Sequence, residues 1–292
     1  MVIIKVSGGL GNQLFQFALG VAIEETLGYQ VKYDLQEYSL SGYRKFDLDK
    51  FVGDLNIAAI EEIAQKYNLF QKIKFLIFKS WGFPFGLKGL KYYLERKFQF
   101  DEKVFDLADD VYLSGYWQSE KYFINHRMKL LECIKISDSD LPENLKYLNQ
   151  IRFSNSVSIH VRRGDYISNP QAKSIYATCD LGYYEKAIQH ISTQFEDLTF
   201  FVFTDDMEWV KTHFSKFERM IFVNVNHVDT AFEDLKLMSN CKHNIIANST
   251  FSWWAAWLNK HPDKVVIAPE NWLKNDIADV NNEIVPNSWI KL

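Results

Sequence analysis

The sequence predicts an α/β protein with two doubly wound halves. Three observations carry that prediction. From Ser156 to Ala268, apolar runs alternate with amphipathic runs. Several of the apolar runs, such as "LTFFVF" (198–203), lack polar alternation, which is how parallel strands covered on both faces read. The first half opens with a strand, a glycine-rich turn and a helix.

In order, Val2–Val6 is a short apolar strand, "SGGLGNQ" (7–13) a turn, and 14–28 a helix that Gly28 closes. "QVKYD" (30–34) is the next strand. From 57 to 105 the pattern reads as helical, basic and aromatic, with nine Lys/Arg against three acids between Lys66 and Lys103. "VYLSGYWQSEKYF" (111–123) reads as strand, turn and the start of a helix running to about Ile136. The polar connection 137–156 marks a boundary, giving domains 1–150 and 151–292. The second half gives strands at 156–161, 198–203, 220–225, 243–247 and 264–268. Helices are expected at 181–195, 207–214, 230–241 and 250–259.

Bulk properties exclude several classes. A net charge of −4 gives no electrostatic signal for nucleic acid. No run of 18 apolar residues reads as a membrane span, and the N-terminus does not read as a signal peptide. Cys133, Cys179 and Cys241 are an odd, widely spaced set, which argues for buried thiols in a cytoplasmic protein. The stretch 66–103 is the one segment whose composition suits contact with an anionic membrane, or else a packed helical region with solvated lysines.

In doubly wound sheets ligands bind beyond the carboxyl ends of the strands, so the residues there are the site candidates. "HVRRGD" (160–165) follows a strand in which Val157, Ile159 and Val161 point one way and Ser158, His160 and Arg162 the other. Arg162 and Arg163 suit bidentate binding of a phosphate, or a surface salt-bridge turn. Thr204, Asp205 and Asp206 end the next strand, and either Asp could cap a helix or contact a ribose or base. Ser249 or Thr250 could cap the helix that follows or, with its N–H groups, bind an anion. Asp234 lies on a helix's polar face. Asn12 and Gln13 sit at a helix start, where their amides could bond an anion or a sugar. The turn before them is not a P-loop, because no Gly-Lys-Ser/Thr follows, and Leu14 stands where a dinucleotide fingerprint has its third glycine. Asp47/Asp49 and Asp138/Asp140 could hold a cation, but both pairs lie in polar connections and arginines can carry phosphate charge without one.

"GGLGNQLFQFA" (8–18), "GYWQSEKYF" (115–123), "HVRRGDY" (160–166) and "NSTFSWWAAWL" (248–258), in this order, resemble the bacterial α-1,2-fucosyltransferases of glycosyltransferase family 11. The resemblance implies a GT-B fold, two Rossmann-like domains facing across a cleft, the first on the acceptor side and the second binding a GDP-sugar. It implies inverting transfer of L-fucose from GDP-β-L-fucose to the 2-hydroxyl of a β-galactoside, with no obligatory metal and no cofactor. His160, Arg162 and Arg163 would hold the diphosphate, with Gly11, Gln13, Thr204, Asp205, Asn248, Ser249, Thr250 and Phe251 around the donor and Asp234 near guanine. Asn12 and Gln13 would face the reaction centre. Animal relatives carry an N-terminal anchor; the lack of one here suggests a bacterial cytosolic enzyme building surface glycan. Asp165 is the first candidate for the base, unless it pairs with the arginines; Glu37, Glu120 and Asp34 follow. Loops 38–43 and 115–120 are expected to choose the acceptor. The rival readings are a transferase of another GDP-sugar and a nucleotide- or glycan-binding protein without turnover.

Overall fold

Apolar strands need cover on both faces, and the chain supplies it twice. The structure, a computed structural model, describes residues 1–41, 44–66, 92–97, 99–164, 177–273 and 283–292. It divides into two compact units, Met1–Lys135 and Ile136–Leu292.

In the first unit, strands β1 (Val2–Lys5), β2 (Val31–Asp34), β3 (Tyr92–Leu94) and β4 (Tyr112–Ser114) form a parallel sheet in the order β2-β1-β4-β3. Helix α1 (Leu10–Leu27) is buried along most of its length and ends on Gly28 at φ 66°, as its sequence indicates. Helices α2 (Gln36–Ser41), α3 (Ile60–Lys66) and α4 (Arg127–Cys133) complete the regular structure described here.

Two sequence expectations change in this unit. The stretch read as helical from 57 to 105 contains α3, then strand β3 and a single-turn helix at Glu102–Asp106; residues 67–91 lie outside the described ones. Tyr92 and Tyr93 favour a pleated surface, and Tyr92 stacks on Tyr112 of β4 with ring centroids 5.4 Å apart. Most of the stretch suggested for membrane contact therefore falls outside the described residues. The helix expected up to Ile136 is broken into two short turns, Glu120–Tyr122 and Ile124–His126, before α4.

The second unit carries α5 (Pro142–Arg152), β5 (Asn155–Val161), α6 (Leu181–Ser192), β6 (Leu198–Thr204), α7 (Met207–Phe214), β7 (Met220–Phe222), α8 (Ala231–Asn240), β8 (His243–Ile245), α9 (Thr250–Leu258), β9 (Val266–Ala268) and β10 (Ile290–Lys291). Its six parallel strands run β10-β9-β8-β5-β6-β7. The contact boundary leaves α5 in this unit, whereas the sequence reading divided the chain at 150/151. Strands β7, β8 and β9 are shorter than their apolar runs suggested.

The alternation read in β5 holds. Val157, Ile159 and Val161 enter a core with Tyr183, Tyr184, Ile188, Val210 and Phe214. On the other face, Ser158 accepts a hydrogen bond from the Asn244 amide at 2.7 Å and His160 meets Ser252 at 2.9 Å. The chain winds outward from β5 through β6 and β7, then resumes on the other side at β8. The edge between β5 and β8 is thus the topological switch point, where such sheets bind ligands.

Candidate active site

Three adjacent strands, β8, β5 and β6, deliver polar residues at their carboxyl ends. Because β5 and β6 pair in register, with Val161 opposite Thr204, the next residues along each strand meet. Arg162 Nη1 contacts Asp205 Oδ2 at 2.8 Å, and Arg163 Nε donates to Asp206 Oδ2 at 3.1 Å. The backbone N–H of Arg163 donates to Asp205 Oδ1 at 2.8 Å. The turn is thus ion-paired, as the salt-bridge reading of this pair expected, and it lies at the switch point.

Arg163 is held from two sides. The Arg163 guanidinium lies 4.1 Å from the centroid of the Trp209 ring, a cation–π contact. Asp206 caps α7 by accepting the N–H of that same Trp209 at 3.1 Å, and its own N–H donates to Thr204 Oγ1 at 2.9 Å. Arg163, Asp206 and Trp209 thus form a closed loop. Arg162 meets Asp205 in the ion pair given above. Gly164 keeps Asp205 close, since a Cβ there would stand 2.7 Å from Asp205 Oδ2.

His160 is buried, and burial pulls its pKa down to about 4, against the opposing pull of Asp205. It is neutral at pH 7, its Nδ1 engaged with Ser252 and its ring 5.8 Å from that of Phe251. It shapes the strand end without adding charge. Two guanidiniums and two carboxylates offset one another, so a bound dianion would compete with Asp205 and Asp206 for them.

Helix α9 starts at Thr250 with Ser249 as N-cap, and the Ser249 hydroxyl makes no capping bond. The helix dipole therefore adds partial positive charge beside β5. Asn248, expected at the donor, is instead spent inside the fold. Its Nδ2 donates to the carbonyls of Ala177 and of Trp272, the latter at 3.0 Å, and its Oδ1 accepts from the Cys179 thiol at 3.7 Å.

Asp234, on α8, keeps some accessible surface, yet its carboxyl is closely surrounded. Burial pushes its pKa up to about 7, and the hydrogen bond from Asn226 (2.7 Å) pulls the other way. Asn226 in turn pairs with Asn144 of α5 at 2.9 Å. The solvated charge that the sequence also allowed is thus replaced by an anchored carboxyl.

In the first unit, Asn12 lies in the first turn of α1, where its Oδ1 accepts from Gln118 Nε2 at 2.9 Å. Gly11 is buried in the same turn. Gln13 departs from its expected donor role. It has no accessible surface, and its amide makes four hydrogen bonds: to the carbonyls of Gly8 and Lys45, and from the N–H groups of Asp47 and Leu48. It ties the 45–48 segment to the glycine turn. Among the candidate bases, Asp165 lies outside the described residues, and Asp34 accepts from the Tyr112 hydroxyl at 2.6 Å and the Gln36 N–H at 2.9 Å. Asp138 pairs with Arg152 through both oxygens, at 3.0 and 2.6 Å, and Asp49 pairs with Lys50 at 3.0 Å, so both Asp-x-Asp elements have local uses.

Sequence reasoning missed Trp209, Asn226 and Asn144. Their spacing carries no signal; only the pairing of β5 with β6 and the packing of α5 against α8 bring them in.

Among the described residues no helix is long and apolar enough to cross a membrane. The chain is 36% identical over 303 residues to the alpha-1,2-colitosyltransferase of Escherichia coli, covering 100% of this chain and 99% of that protein. It is 30% identical over 302 residues to the O-antigen biosynthesis glycosyltransferase WbnK of Escherichia coli, covering 98% and 99%. A solved structure of an Arabidopsis thaliana FUT1 mutant in complex with GDP matches with a TM-score of 0.52 at 9% identity, over 91% of this chain and 70% of that one. That likeness, with the two parallel sheets, gives the fold class as GT-B. The model of glycosyl transferase family 11 matches residues 1–292, and the chain belongs to that family.

Proposed function

We propose that the chain transfers L-fucose from GDP-β-L-fucose to the 2-hydroxyl of a terminal β-galactoside, with inversion and without an obligatory metal, in building a surface glycan. The observation that carries this reading is the pair Arg162 and Arg163 at the carboxyl end of β5, beside the start of α9. That arrangement suits a diphosphate whose charge grows as the sugar leaves.

In the proposed reaction the acceptor oxygen attacks the anomeric carbon as its bond to the β-phosphate breaks, through an oxocarbenium-like transition state. Groups that bind the departing charge more tightly than the ground state accelerate the step. Arg163, held by Trp209 and Asp206, keeps its N–H donors in place at the strand end. Arg162 exchanges Asp205 for a β-phosphate oxygen. Ser249, Thr250 and the α9 N–H groups take further phosphate oxygens, and Asp234 accepts from the base. A guanidinium that is released from its carboxylate partner, together with the α9 N–H groups, takes the role that a divalent ion would otherwise have.

The sequence relatives favour a surface-glycan role, and the named α-1,2 linkage of one of them supports the same linkage here. That relative also motivates a second reading, in which the donor carries colitose. The basic 66–103 stretch extends the proposal to an anionic membrane surface at the cytoplasmic face, which flotation with anionic vesicles tests. The donor is tested by incubating the protein with GDP-fucose and lactose in EDTA and reading the product linkage by NMR. An α-1,2-fucosyl product supports the proposal. Preference for GDP-colitose in direct competition replaces the sugar, and GDP binding with no turnover of either donor contradicts transfer.

A further inference from the structure

The first sheet has an edge of its own. Its strands β1, β3 and β4 end around a pocket of about 280 Å³, lined among others by Lys5, Ser7, Glu37, Glu95, Arg96 and Tyr116. Lys5 and Glu37 pair at 2.9 Å. A cavity of this size, with convergent polar groups at the carboxyl edge of a parallel sheet, suits a single sugar ring.

Glu95 directly follows β3 and is built into place. Its Oε2 accepts the N–H of Tyr116 at 2.6 Å and its Oε1 the N–H of Trp117 at 3.0 Å. Gly115 is the opening that admits it: a Cβ there would stand 2.4 Å from the Glu95 Cβ and 2.9 Å from the Trp117 ring. The Gln16 amide holds the Gly115 carbonyl at 2.9 Å. Trp117 is fully buried with φ 57°, a left-handed conformation that bulky residues rarely adopt. Such conformations persist where the surroundings over-determine them, and they gather at functional sites. The segment "GYWQ" thus orients one carboxylate at the pocket.

Burial pushes Glu95 up to about 7, against the pull of its two N–H bonds. The charged and titratable groups around it are Lys5 and Glu37 from β1 and α2, Arg96 and Lys97 from its own segment, and Tyr116 and Tyr122 after β4. A carboxylate of that basicity is matched to proton transfer near neutrality.

We infer that this pocket holds the acceptor's sugar ring and that Glu95 is the base for the attacking hydroxyl. The inference rests on the proposed function. The acceptor O–H gives its proton to Glu95 as its oxygen bonds to the anomeric carbon. The anomeric bond to the diphosphate breaks, and its electron pair leaves with GDP. Glu95 then returns the proton to solvent.

The test is steady-state transfer by wild type, Glu95→Gln and Glu95→Asp from pH 5.5 to 8.5, with GDP affinity by calorimetry and thermal melting on each. Glu95→Gln is expected to lower kcat by on the order of 100-fold or more, with GDP affinity within twofold and a folded protein that melts below wild type, because its amide has one acceptor for the two N–H groups that Glu95 holds. Glu95→Asp recovers part of the rate. Wild-type kcat climbs with pH through a midpoint near 7 to a plateau above it, and the glutamine variant loses that limb. A kcat within threefold of wild type overturns the inference and leaves Glu95 as a clamp for the 115–117 turn. If the glutamine variant fails to fold, the wild-type profile decides: a climbing limb supports the inference and a flat kcat overturns it. Absence of transfer by wild type across donors and acceptors contradicts the proposed function and this inference together; full activity in Glu95→Gln contradicts only the second.

Discussion

At its carboxyl edge the second sheet carries two guanidiniums held by carboxylates, while the first carries one carboxylate held by backbone N–H groups. Both edges are the carboxyl ends of parallel strands, so the difference lies in which residues follow those strands. Guanidiniums kept in place by Asp205, Asp206 and Trp209 suit a ligand whose negative charge grows during reaction. A desolvated carboxylate suits a neutral polyol that must lose a proton. On the proposed function the contrast suits donor chemistry in one unit and acceptor chemistry in the other, and four substitutions test it.

Arg162→Ala should have the largest effect. Losing one preorganised donor to a developing charge costs about 3 kcal/mol, so kcat/KM should fall by on the order of 100-fold with the circular dichroism spectrum unchanged. Asp234→Asn comes next. Replacing a charged acceptor for the base should weaken GDP binding by about 1.5–3 kcal/mol, measured by calorimetry. Its pH signature is separate. The folded-state pKa of Asp234, about 7, lies above the unfolded value. The stability this group contributes is therefore complete below the unfolded value and lost as pH rises through about 7. The melting temperature of Asp234→Asn relative to wild type should accordingly rise between pH 5.5 and 8.5, while wild-type GDP affinity increases over the same range.

Gln13→Ala sharpens the comparison from the scaffold side. It strands several buried backbone groups, so it should cost about 2 kcal/mol in urea melts, and donor binding should stay intact because the Gln13 amide is spent within the first unit. Trp209→Ala should cost the least free energy of the four. Removing the face under Arg163 costs about 1 kcal/mol, roughly fivefold in kcat/KM, because Asp206 still holds the guanidinium.

Much of the second edge was legible in the sequence, because the period-two pattern of β5 sets His160 and Arg162 on one face and the next strand end supplies two acids. That Asp205 and Asp206 meet the arginines depends on the β5–β6 register, which local spacing does not encode. Gln13 and Asn248 resisted reading for another reason. A buried amide looks the same in sequence whether it serves a ligand or a distant loop. Glu95 was hidden because the lysines and aromatics around it suggested a helix, and β3 is only three residues long. Its trace in the sequence was "GYWQ", whose glycine makes room for a side chain about 20 residues upstream.

On the proposed function Arg162 and Arg163 bind the diphosphate at the carboxyl end of β5. The most direct measurement is GDP release from GDP-fucose with lactose, in EDTA, for wild type, Arg162→Ala and Arg162→Lys, alongside GDP affinity for each. The account predicts lactose-dependent release by wild type that survives EDTA, falls by on the order of 100-fold in Arg162→Ala, and is only partly restored by a lysine that cannot bind bidentately. Release by Arg162→Ala at the wild-type rate would contradict it.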